Sequence, residues 1–430
     1  MKRFAAMLLT TACLLTGCGS QASLEDVTTL PAAPAAAQTQ TLNIYCDSGD
    51  TGALQQALQA YCDAQNVTPQ WTDDLAGADL ALLSALPEGE GWTDLSGQPM
   101  LAAAAERAGL ATDAAVYQLP LGRSLYAYWA DGTVLSALLG ENSLTDLQNA
   151  TWQEWSDFAA AVTTWLDTPA QTTLTLNGNS YTLPAQRPEA AANLEGVFAV
   201  CGGTPTAAWA GPAYTSALLA AGDQRTDATL TGPLNGVYAA FTLELSNCAG
   251  AADRTRAEAA QALQQGQALF FRASLTDLVS ALGKDAIQNY VAVPFKCNFD
   301  ESDLTTESYN LNGLMNYPIL ANAGYLAVPA GGNADAAESA ILWIYASGAG
   351  NTVLTDDLLL VTPWNTASNA TAIGAMQVEQ VGTGILPEVA LTAGQNDVLY
   401  KTGQALMESS AFTTSTRTAF VTGILPTLRS

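Results

Sequence analysis

Residues 41–65 read TLNIYCDSGDTGALQQALQAYCDAQ, and residues 78–84 read ADLALLS. The first six residues alternate around apolar positions, which predicts a short strand, and the apolar run at 78–84 is typical of a buried parallel strand. Between the two, apolar residues recur at helical spacing, at Leu54, Ala57, Leu58, Tyr61 and Cys62. This order of strand, amphipathic helix and strand predicts a parallel sheet with helices packed on its faces.

The rest of the chain continues the same alternation. Residues 151–154 read TWQE, a capping box that predicts the start of a helix. An Asn-Gly pair at 177–178 lies between two alternating runs and predicts a hairpin over 174–182. Further strands are predicted at 268–271, 290–295 and 324–329, and further helices at 257–265, 337–345, 397–407 and 412–422. The chain is therefore predicted to be an α/β protein, and its 430 residues suggest two or three domains.

Charge and composition exclude several classes of function. The chain has 14 Lys and Arg against 40 Asp and Glu, a formal net charge of −26, so it lacks the basic surface with which proteins bind nucleic acids. It contains no histidine, which excludes Ser-His-Asp and Cys-His catalysis and every zinc site that needs imidazole. No phosphate-binding loop and no G-x-S-x-G motif is present. We therefore expect no cofactor, no metal and no enzymatic activity.

Carboxylates remain available for chemistry, because glycoside hydrolases work with a pair of them and need no histidine. The most acidic run contains Asp300, Glu301 and Asp303. We interpret this run as an exposed loop, since it lacks the glycine and the spaced ligands of a calcium-binding loop. A carboxylate-based glycoside hydrolase stays an alternative.

Residues 1–17 have the features of an export signal peptide. Lys2 and Arg3 precede an apolar stretch at 4–15, which is shorter than the roughly 20 residues that span a bilayer. The stretch ends in LTGC at 15–18, which looks like the bacterial lipobox, so Cys18 is the predicted attachment site for lipid, palmitate included. An ordinary signal peptide with an incidental cysteine is the alternative. Residues 18–40 show no helical or strand period and are predicted to be a flexible tether. The lipid on Cys18 would anchor the protein at the extracytoplasmic face of the cell membrane.

Cysteine usage argues against a disulfide framework. Once Cys13 leaves with the signal peptide and Cys18 carries lipid, the remaining cysteines are Cys46, Cys62, Cys201, Cys248 and Cys297. An odd number leaves at least one thiol unpaired, and no C-x-x-C motif is present. Cys46 and Cys62 are expected about 16 Å apart along the first helix, too far for a disulfide. The pairing of the others stays open.

Several short segments occur in an order that characterises one family. They are LNIY at 42–45, SLYAYWAD at 124–131, TWQEW at 151–155, QQGQALFF at 264–271, GYLAVP at 324–329 and TPWN at 362–365. With the lipobox before them, the chain resembles the family 1 extracellular solute-binding lipoproteins of ABC importers, which include the maltose-type sugar-binding proteins.

This resemblance implies a two-lobe, type II periplasmic-binding-protein-like fold with a ligand cleft between the lobes. The first lobe would comprise 41–121 plus 323–360 and the second 122–322 plus 361–430, with crossovers near 121–124 and 321–324. The implied function is capture of a small solute, with carbohydrate as the favoured class, by hinge closure of the lobes and delivery to an ABC permease. We expect a monomer. A surface adhesin or scaffold lipoprotein is a further alternative.

Candidate ligand-binding residues follow from the rule that ligands of open α/β sheets bind outside the carboxyl ends of the strands. The rule selects Asp47 and Ser48 after the first strand and Ser84 after the second. The Asp47 carboxylate can accept hydrogen bonds from sugar hydroxyls. The alternative is that Asp47 only caps the helix that follows it.

Aromatic residues are the second group of candidates, because sugar rings pack their C–H faces on aromatic planes. Tyr126, Trp209 and Trp364 are the proposed stacking residues, and Asn365, next to Trp364, is included with them. The alternative for each aromatic is a place in the core, where large aromatics are usually buried.

Two arginines, Arg123 and Arg272, lie next to the predicted connections between the lobes. A guanidinium at either position can bind a carboxylate or sulfate with two hydrogen bonds. The alternative is a salt bridge to one of the 40 acidic residues.

Overall fold

The structure is a computed structural model that describes residues 40–47, 52–87, 91–108, 115–204, 209, 211–364, 369–409 and 413–429. Cys18, Ser48 and Asn365, three of the candidate site residues, lie outside the described residues. The described residues belong to one unit of the chain.

Strands and helices alternate along the described residues. The strands are β1 Thr41–Cys46, β2 Thr68–Thr72, β3 Leu80–Leu83, β4 Gln118–Pro120, β5 Arg123–Asp131, β6 Thr172–Leu176, β7 Asn179–Leu183, β8 Gly196–Ala199, β9 Ala268–Ser274, β10 Tyr290–Val293, β11 Ile319–Asn322, β12 Tyr325–Ala327 and β13 Leu386–Pro387. The helices are α1 Gly52–Gln65, α2 Pro99–Ala108, α3 Gly132–Leu139, α4 Ser143–Gln148, α5 Trp152–Asp167, α6 Thr215–Ala221, α7 Asp227–Ser246, α8 Arg256–Gln264, α9 Leu275–Leu282, α10 Leu311–Asn316, α11 Ala334–Ala346, α12 Gly348–Thr352, α13 Ala372–Thr383, α14 Ala393–Glu408 and α15 Thr414–Leu428. A π-helix, Val353–Asp357, follows α12. No helix among the described residues is long and apolar enough to cross a bilayer.

The first lobe is built on a sheet with the strand order β2-β1-β3-β12-β4. Strand β1 is parallel to β2 and β3, as the opening pattern predicts, whereas β12 is antiparallel to its neighbours. Leu42, Ile44, Leu80 and Leu82 point to the face that packs against α1 and α11. The core of this lobe therefore comes from two stretches of chain, which are separated by the strands β5 to β11 of the second lobe.

A buried carboxylate ties three segments of the first lobe together. Asp79 accepts hydrogen bonds from the backbone N–H and the side-chain amide of Asn43, at 2.8 and 3.0 Å, and from the backbone N–H of Asn333 at 2.9 Å. Asn333 is the N-cap of α11. The aspartate inside the apolar run at 78–84 is thus a structural residue, since it pairs donors that burial would leave unsatisfied.

The second lobe is built on a sheet with the order β13-β11-β5-β9-β8. Strand β10 pairs with the C-terminal half of β5, at 128–131. Strand β5 is buried on both faces. Tyr126, Tyr128 and Ala130 point into one apolar cluster, while Ala127 and Trp129 point into another on the opposite face. Alternation of this kind explains why SLYAYWAD is an almost continuous apolar run rather than a half-polar one.

Three segments of the described chain pass between the two sheets and lie side by side. The first joins β4 to β5 and the second joins β11 to β12. Leu121 N donates to Gly324 O at 3.0 Å, and Ala323 N donates to Gly122 O at 2.8 Å. The third segment contains Val361, which exchanges two backbone hydrogen bonds with Arg123 at 2.7 and 2.8 Å. We call these segments the crossovers.

Several sequence-based predictions are confirmed. The capping box forms at Thr151 and Glu154, and the hairpin β6–β7 turns at 177–178. The helix at 257–265 and the strand at 268–271 correspond to α8 and β9. The acidic run at 300–303 forms a 3-10 turn, Glu301–Asp303, in an otherwise irregular loop.

Three described cysteines are reduced and contribute to the packing of the protein interior. Cys62, Cys248 and Cys297 are free, and burial raises the pKa of each thiol above its ordinary value, in Cys62 to about 11. Such thiols stay protonated at neutral pH and behave as small apolar side chains.

Candidate functional site

At the crossovers, one edge of the first sheet lies next to one edge of the second, and each edge is formed by the ends of several strands. In the first sheet, β1, β3 and β4 end at this edge, and β12 begins there. In the second sheet, β5 begins at Arg123, while β11 ends at Asn322 and β13 at Pro387. Polar side chains at these ends therefore lie where a ligand between two lobes would be held.

On the first lobe, the two predicted strand-end residues are joined directly. Ser84 donates to the Asp47 carboxylate from its backbone N–H at 2.8 Å and from its hydroxyl at 3.0 Å, and both bonds go to Oδ2. Burial raises the pKa of Asp47 above its ordinary value, and the bonds from Ser84 oppose this shift. The side chain is nevertheless solvent-accessible. Both bonds from Ser84 thus go to one oxygen of the carboxylate.

At the crossovers, Arg123, Asn322, Tyr325 and Glu388 form a polar group that we call the crossover cluster. Oε2 of Glu388 accepts from the backbone N–H of Asn322 at 2.5 Å and from its side-chain amide at 2.9 Å. The same amide donates to the Tyr325 hydroxyl at 2.9 Å. Asn322 therefore holds both Glu388 and Tyr325 in place with one side chain.

Electrostatics within the crossover cluster are unusual. Burial raises the pKa of Glu388 to about 7, although Asn322 and the positive charge of Arg123 both oppose the shift. Burial also lowers the pKa of Arg123 below its ordinary value. Within the described part of the chain, the Arg123 guanidinium makes no hydrogen bond and no ion pair shorter than 4.0 Å. Among the described residues, neither the Arg123 guanidinium nor Oε1 of Glu388 has a hydrogen-bond partner.

The chain beyond Glu388 continues to the first lobe. Val389 N donates to the Thr215 hydroxyl of the second lobe at 3.2 Å, whereas Leu86 N of the first lobe donates to Leu391 O at 3.1 Å. Glu388 therefore starts a short segment that contacts both lobes.

Arg272 lies in a different environment from Arg123. Its Nε and Nη2 donate to the two carboxylate oxygens of Glu244 at 2.7 and 2.9 Å, and both side chains are almost fully buried. Tyr128 donates to the same carboxylate at 2.6 Å, and Arg272 also donates to the Tyr126 hydroxyl. Burial raises the pKa of Tyr126 to about 12. For Arg272 and Tyr126 the structure favours the core alternatives, salt bridge and packing, over ligand contact.

Trp209 is also placed in the core of the second lobe. Its ring is fully buried and meets Phe241 edge-on, with ring centroids 5.0 Å apart. The ring packs directly on α14 at Gly403, where an added Cβ would come within 2.2 Å of it. In this position neither face of the indole is open to a sugar ring, which again favours the packing alternative.

Trp364 packs against the core of the first lobe, although its segment was expected in the second. The guanidinium of Arg107, at the end of α2, lies 4.4 Å from its ring centroid. The indole N–H is buried without a hydrogen-bond partner among the described residues. The ring is only partly buried, so Trp364 is the one proposed stacking residue of the three that keeps accessible surface.

The acidic run gives no support to carboxylate chemistry or metal binding. Asp300 accepts hydrogen bonds from the backbone N–H and hydroxyl of Ser302, and Asp303 accepts from Asp300 N, so these carboxylates cap their own turn. Among the described residues, no group of three or more Cys, Asp and Glu side chains is arranged to hold a metal ion.

Sequence reasoning found Asp47, Ser84 and Arg123 at the edge between the sheets but missed Glu388, Asn322 and Tyr325. Asn322 lies within the predicted return crossover at 321–324 and Tyr325 follows it directly, so the rule that selected Asp47 and Ser84 could also have selected these two residues. Glu388 follows β13, which has two residues and no detectable alternation.

Comparison with known proteins defines the fold. No protein-family model matches the chain, and no curated protein sequence matches it. The bacterial solute receptor AcbH is similar in structure, with a TM-score of 0.59 and 14% sequence identity over 91% of this chain and 98% of that chain. The solute-binding protein RafE in complex with raffinose gives a TM-score of 0.56, with 10% identity over 90% of this chain and 98% of that one.

A third similar structure is a Streptococcus pneumoniae solute-binding protein in complex with the blood group A-trisaccharide. Its TM-score is 0.54, with 10% identity over 90% of this chain and 100% of that chain. The predicted two-lobe α/β fold of solute-binding proteins is confirmed by these similarities.

Proposed function

We propose that this chain is a solute-binding lipoprotein that captures a carbohydrate between its two lobes and delivers it to an ABC permease. The lobes, each built on one of the two large sheets, would close by rotation at the crossovers. Binding and release would involve no covalent chemistry.

One observation carries the choice of ligand, namely the balance of free donors and acceptors at the edge between the sheets. Arg123 offers guanidinium N–H donors, whereas the carboxylates of Glu388 and Asp47 offer acceptors. A sugar hydroxyl donates one hydrogen bond and accepts others, so a polyhydroxyl ligand needs both kinds of partner. A solute with only negative or only positive charge would leave the carboxylates or Arg123 unpaired, at a cost. A zwitterionic amino acid pairs with both, so amino acids are the competing class in the test below.

The structural neighbours support the same class of ligand. AcbH is described as having an exclusive substrate preference for β-D-galactopyranose, and RafE was solved with raffinose. These ligands belong to those proteins, and at 10–14% identity the likeness extends to the fold alone.

The proposal is tested by screening the detergent-solubilised full-length protein for ligand-induced stabilisation. Galactose, raffinose, stachyose and maltotriose would be compared with amino acids and polyamines by thermal shift and calorimetry. A true ligand at 100 times its Kd should stabilise the protein by about 2.7 kcal/mol. Stabilisation by an amino acid or polyamine, with none by any saccharide, would reject a carbohydrate ligand.

Variants then test the crossover cluster. Arg123→Gln and Glu388→Gln should each weaken saccharide binding by about 1.5–3 kcal/mol, roughly 10- to 150-fold in Kd, because each removes hydrogen bonds to a charged group. Arg429→Gln is the matched control, since Arg429 pairs with Asp227 on the surface of the second lobe. Unchanged affinity in both cluster variants would place the ligand elsewhere. The same samples test for hydrolysis, and release of a shorter sugar would favour the glycoside hydrolase alternative.

We also propose that Cys18 carries the lipid and anchors the protein at the extracytoplasmic face of the membrane. The support is the lipobox-like LTGC at the end of the apolar leader. Cys18→Ser should abolish incorporation of labelled palmitate and leave the leader uncleaved, as read by gel mobility and mass spectrometry. Palmitate labelling that persists in Cys18→Ser would assign the lipid to another residue.

A further inference from the structure

The Arg123 guanidinium is a half-buried positive charge that has no countercharge in contact with it. Burial lowers its pKa below the ordinary value, because part of its hydration is lost. Among the described residues it makes no hydrogen bond and no ion pair within 4.0 Å. Other arginines of this acidic chain do pair with a carboxylate, as Arg256, Arg272 and Arg429 do. Keeping a partly desolvated charge unpaired is costly, which is typical of a group that binds a ligand.

Asn322 holds the neighbouring carboxylate of Glu388 away from Arg123. Glu388 and Arg123 lie close enough for each charge to act on the pKa of the other. Asn322 lies directly opposite Arg123 in the β5–β11 pair and binds Oε2 of Glu388 with its backbone N–H at 2.5 Å and its side-chain amide at 2.9 Å. These two bonds keep the carboxylate from turning onto the guanidinium. The donors of Arg123 therefore stay free for a group from outside the protein.

Tyr325 adds a buried donor beside Arg123. Its side chain is 3% exposed, and the charge of Arg123 acts to lower its pKa, so the two groups are neighbours. The hydroxyl accepts a hydrogen bond from the Asn322 amide at 2.9 Å. A phenol has one proton of its own to donate, and among the described residues this proton has no acceptor. The crossover cluster thus contains two sets of unsatisfied donors next to each other.

The acidic member of the crossover cluster balances only part of the positive charge. Burial raises the pKa of Glu388 to about 7. A carboxyl group with that pKa is roughly half protonated at neutral pH, whereas a guanidinium stays fully charged. The excess of donors and of positive charge at this point favours a ligand group that is negatively charged and accepts hydrogen bonds.

We propose that the bound saccharide is a sugar acid, such as a uronic acid, whose carboxylate is held by Arg123 and Tyr325. The inference rests on the proposed function, since it names the class of saccharide bound at the same site. A carboxylate matches the planar fork of an arginine with two hydrogen bonds, and it has further lone pairs for the Tyr325 hydroxyl. The hydroxyl groups of the same sugar would donate to Asp47 and Glu388, so that neither sign of charge is left unpaired.

Matched neutral and acidic sugars test the class of ligand. The full-length protein, in a detergent without a sugar headgroup, is titrated by calorimetry with galactose and galacturonate, glucose and glucuronate, and maltotriose and trigalacturonate. Partial hydrolysates of starch and of pectin are screened by native mass spectrometry, which reads the mass of the bound saccharide. We expect the acidic member to bind at least roughly 10-fold more tightly, as a hydrogen bond to a charged group implies.

The other outcomes of this comparison are decisive as well. Tighter binding of the neutral member, or capture of neutral saccharides alone, would reject the sugar acid and leave the proposed function standing. Binding of amino acids with no binding of any saccharide would reject both. If neither set of sugars nor either hydrolysate binds, the sugar acid is rejected together with the carbohydrate class.

Substitutions in the crossover cluster should move the preference between acidic and neutral sugar in opposite directions. Arg123→Gln should lower the ratio of acidic to neutral affinity by roughly 10-fold or more, and Tyr325→Phe by roughly 2- to 10-fold. Glu388→Gln should raise the ratio, because it removes a negative charge beside the ligand carboxylate. Arg429→Gln, which breaks the surface pair with Asp227, is the control and should leave the ratio unchanged. Equal losses for both sugars in Arg123→Gln would contradict the proposal.

Stability without ligand separates a ligand contact from a structural charge. Because Arg123 loses hydration without gaining a partner among the described residues, Arg123→Gln should melt at or above the wild-type temperature in sugar-free buffer. Arg256 is the matched structural arginine, since it is part-buried and pairs with Asp277, so Arg256→Gln should melt below wild type. Early melting of Arg123→Gln with an unchanged ratio of acidic to neutral affinity would assign Arg123 to the fold and overturn the proposal.

Discussion

Replacing Glu244 tests whether Arg272 belongs to the core or to the ligand site. Glu244→Gln keeps the shape of the side chain but removes the charge that faces Arg272. The exposed fractions of the two side chains are 3% and 2%, so water cannot replace the lost carboxylate. The guanidinium is otherwise surrounded by rings, with Phe295 and Phe241 centroids 4.9 and 5.0 Å from its carbon.

The expected loss follows from the pair's geometry. Opposite unit charges 4 Å apart attract by about 4 kcal/mol at an effective dielectric constant of 20. The two hydrogen bonds between Arg272 and Glu244, at 2.7 and 2.9 Å, place the two charges at about this separation. Removing one partner of a buried pair generally costs 3–5 kcal/mol, because the other charge is left without compensation. Cation–π contacts with Phe241 and Phe295 still stabilise the unpaired guanidinium and offset part of this loss. We therefore expect Glu244→Gln to lower the free energy of unfolding by about 3–5 kcal/mol, a large share of the 5–15 kcal/mol typical of a folded protein.

Urea unfolding followed by tryptophan fluorescence measures this loss. The double variant Arg272→Met with Glu244→Leu should recover much of it, since apolar residues of similar volume can replace a buried pair at little cost. The pair Asp397 and Lys401, with side chains 54% and 70% exposed, is the control, and Asp397→Asn should change stability by less than about 1 kcal/mol. If Glu244→Gln unfolds like wild type but loses saccharide binding, Arg272 belongs to the ligand site and the reasoning is refuted.

Three further predictions concern other buried groups. Trp209→Ala should cost roughly 3–5 kcal/mol of stability with or without saccharide in thermal melts, and normal stability with lost binding would instead make the ring a ligand contact. Asp79→Ala should cost about 3 kcal/mol in urea unfolding, because it leaves the donors of Asn43 and Asn333 unpaired; a loss below 1 kcal/mol would contradict this role. Burial lowers the pKa of Lys296 to about 7, so the unfolded chain binds more protons between about pH 7 and 10 and stability should rise with pH over that window. Urea unfolding at pH 7 and 9.5 should show this gain in wild type and not in Lys296→Met, and equal gains in both would refute it.

The elements that the sequence predicts well are those with an amphipathic pattern or a local cap. Strand β1, helix α1 and helix α5 each have one apolar face, and the capping box at Thr151 marks where α5 begins. Helix α7 was not predicted, because buried residues surround its whole circumference and Pro233 lies inside it. A helix without a polar face has no helical period in its hydrophobicity, so only tertiary packing defines it.

The order of weakly specific segments along the chain predicted the fold correctly, whereas the binding role of a single residue cannot be predicted in the same way. The order of elements constrains topology, because strands that alternate with helices have few ways to form sheets. A binding role, in contrast, depends on whether a given side chain reaches the edge of a sheet. Trp209 follows β8 at the correct end of its strand, yet its ring turns back onto α14 and Phe241. Nothing in the local sequence distinguishes that orientation from one that faces a ligand.

The two arginines show most clearly what decides between core and site. Both lie on strands of the second sheet, and both were candidates because of their places near the crossovers. Register separates them: Arg123 is the first residue of β5 and pairs with Asn322 at the end of β11, whereas Arg272 pairs with Tyr128 in the interior of β5. An interior position on a sheet covered on both faces forces a charge to find its partner within the core, and Glu244 of α7 is that partner. A position at the end of a strand imposes no such demand, so the Arg123 guanidinium can stay without an ion pair among the described residues, which is why we propose it and not Arg272 as a ligand contact.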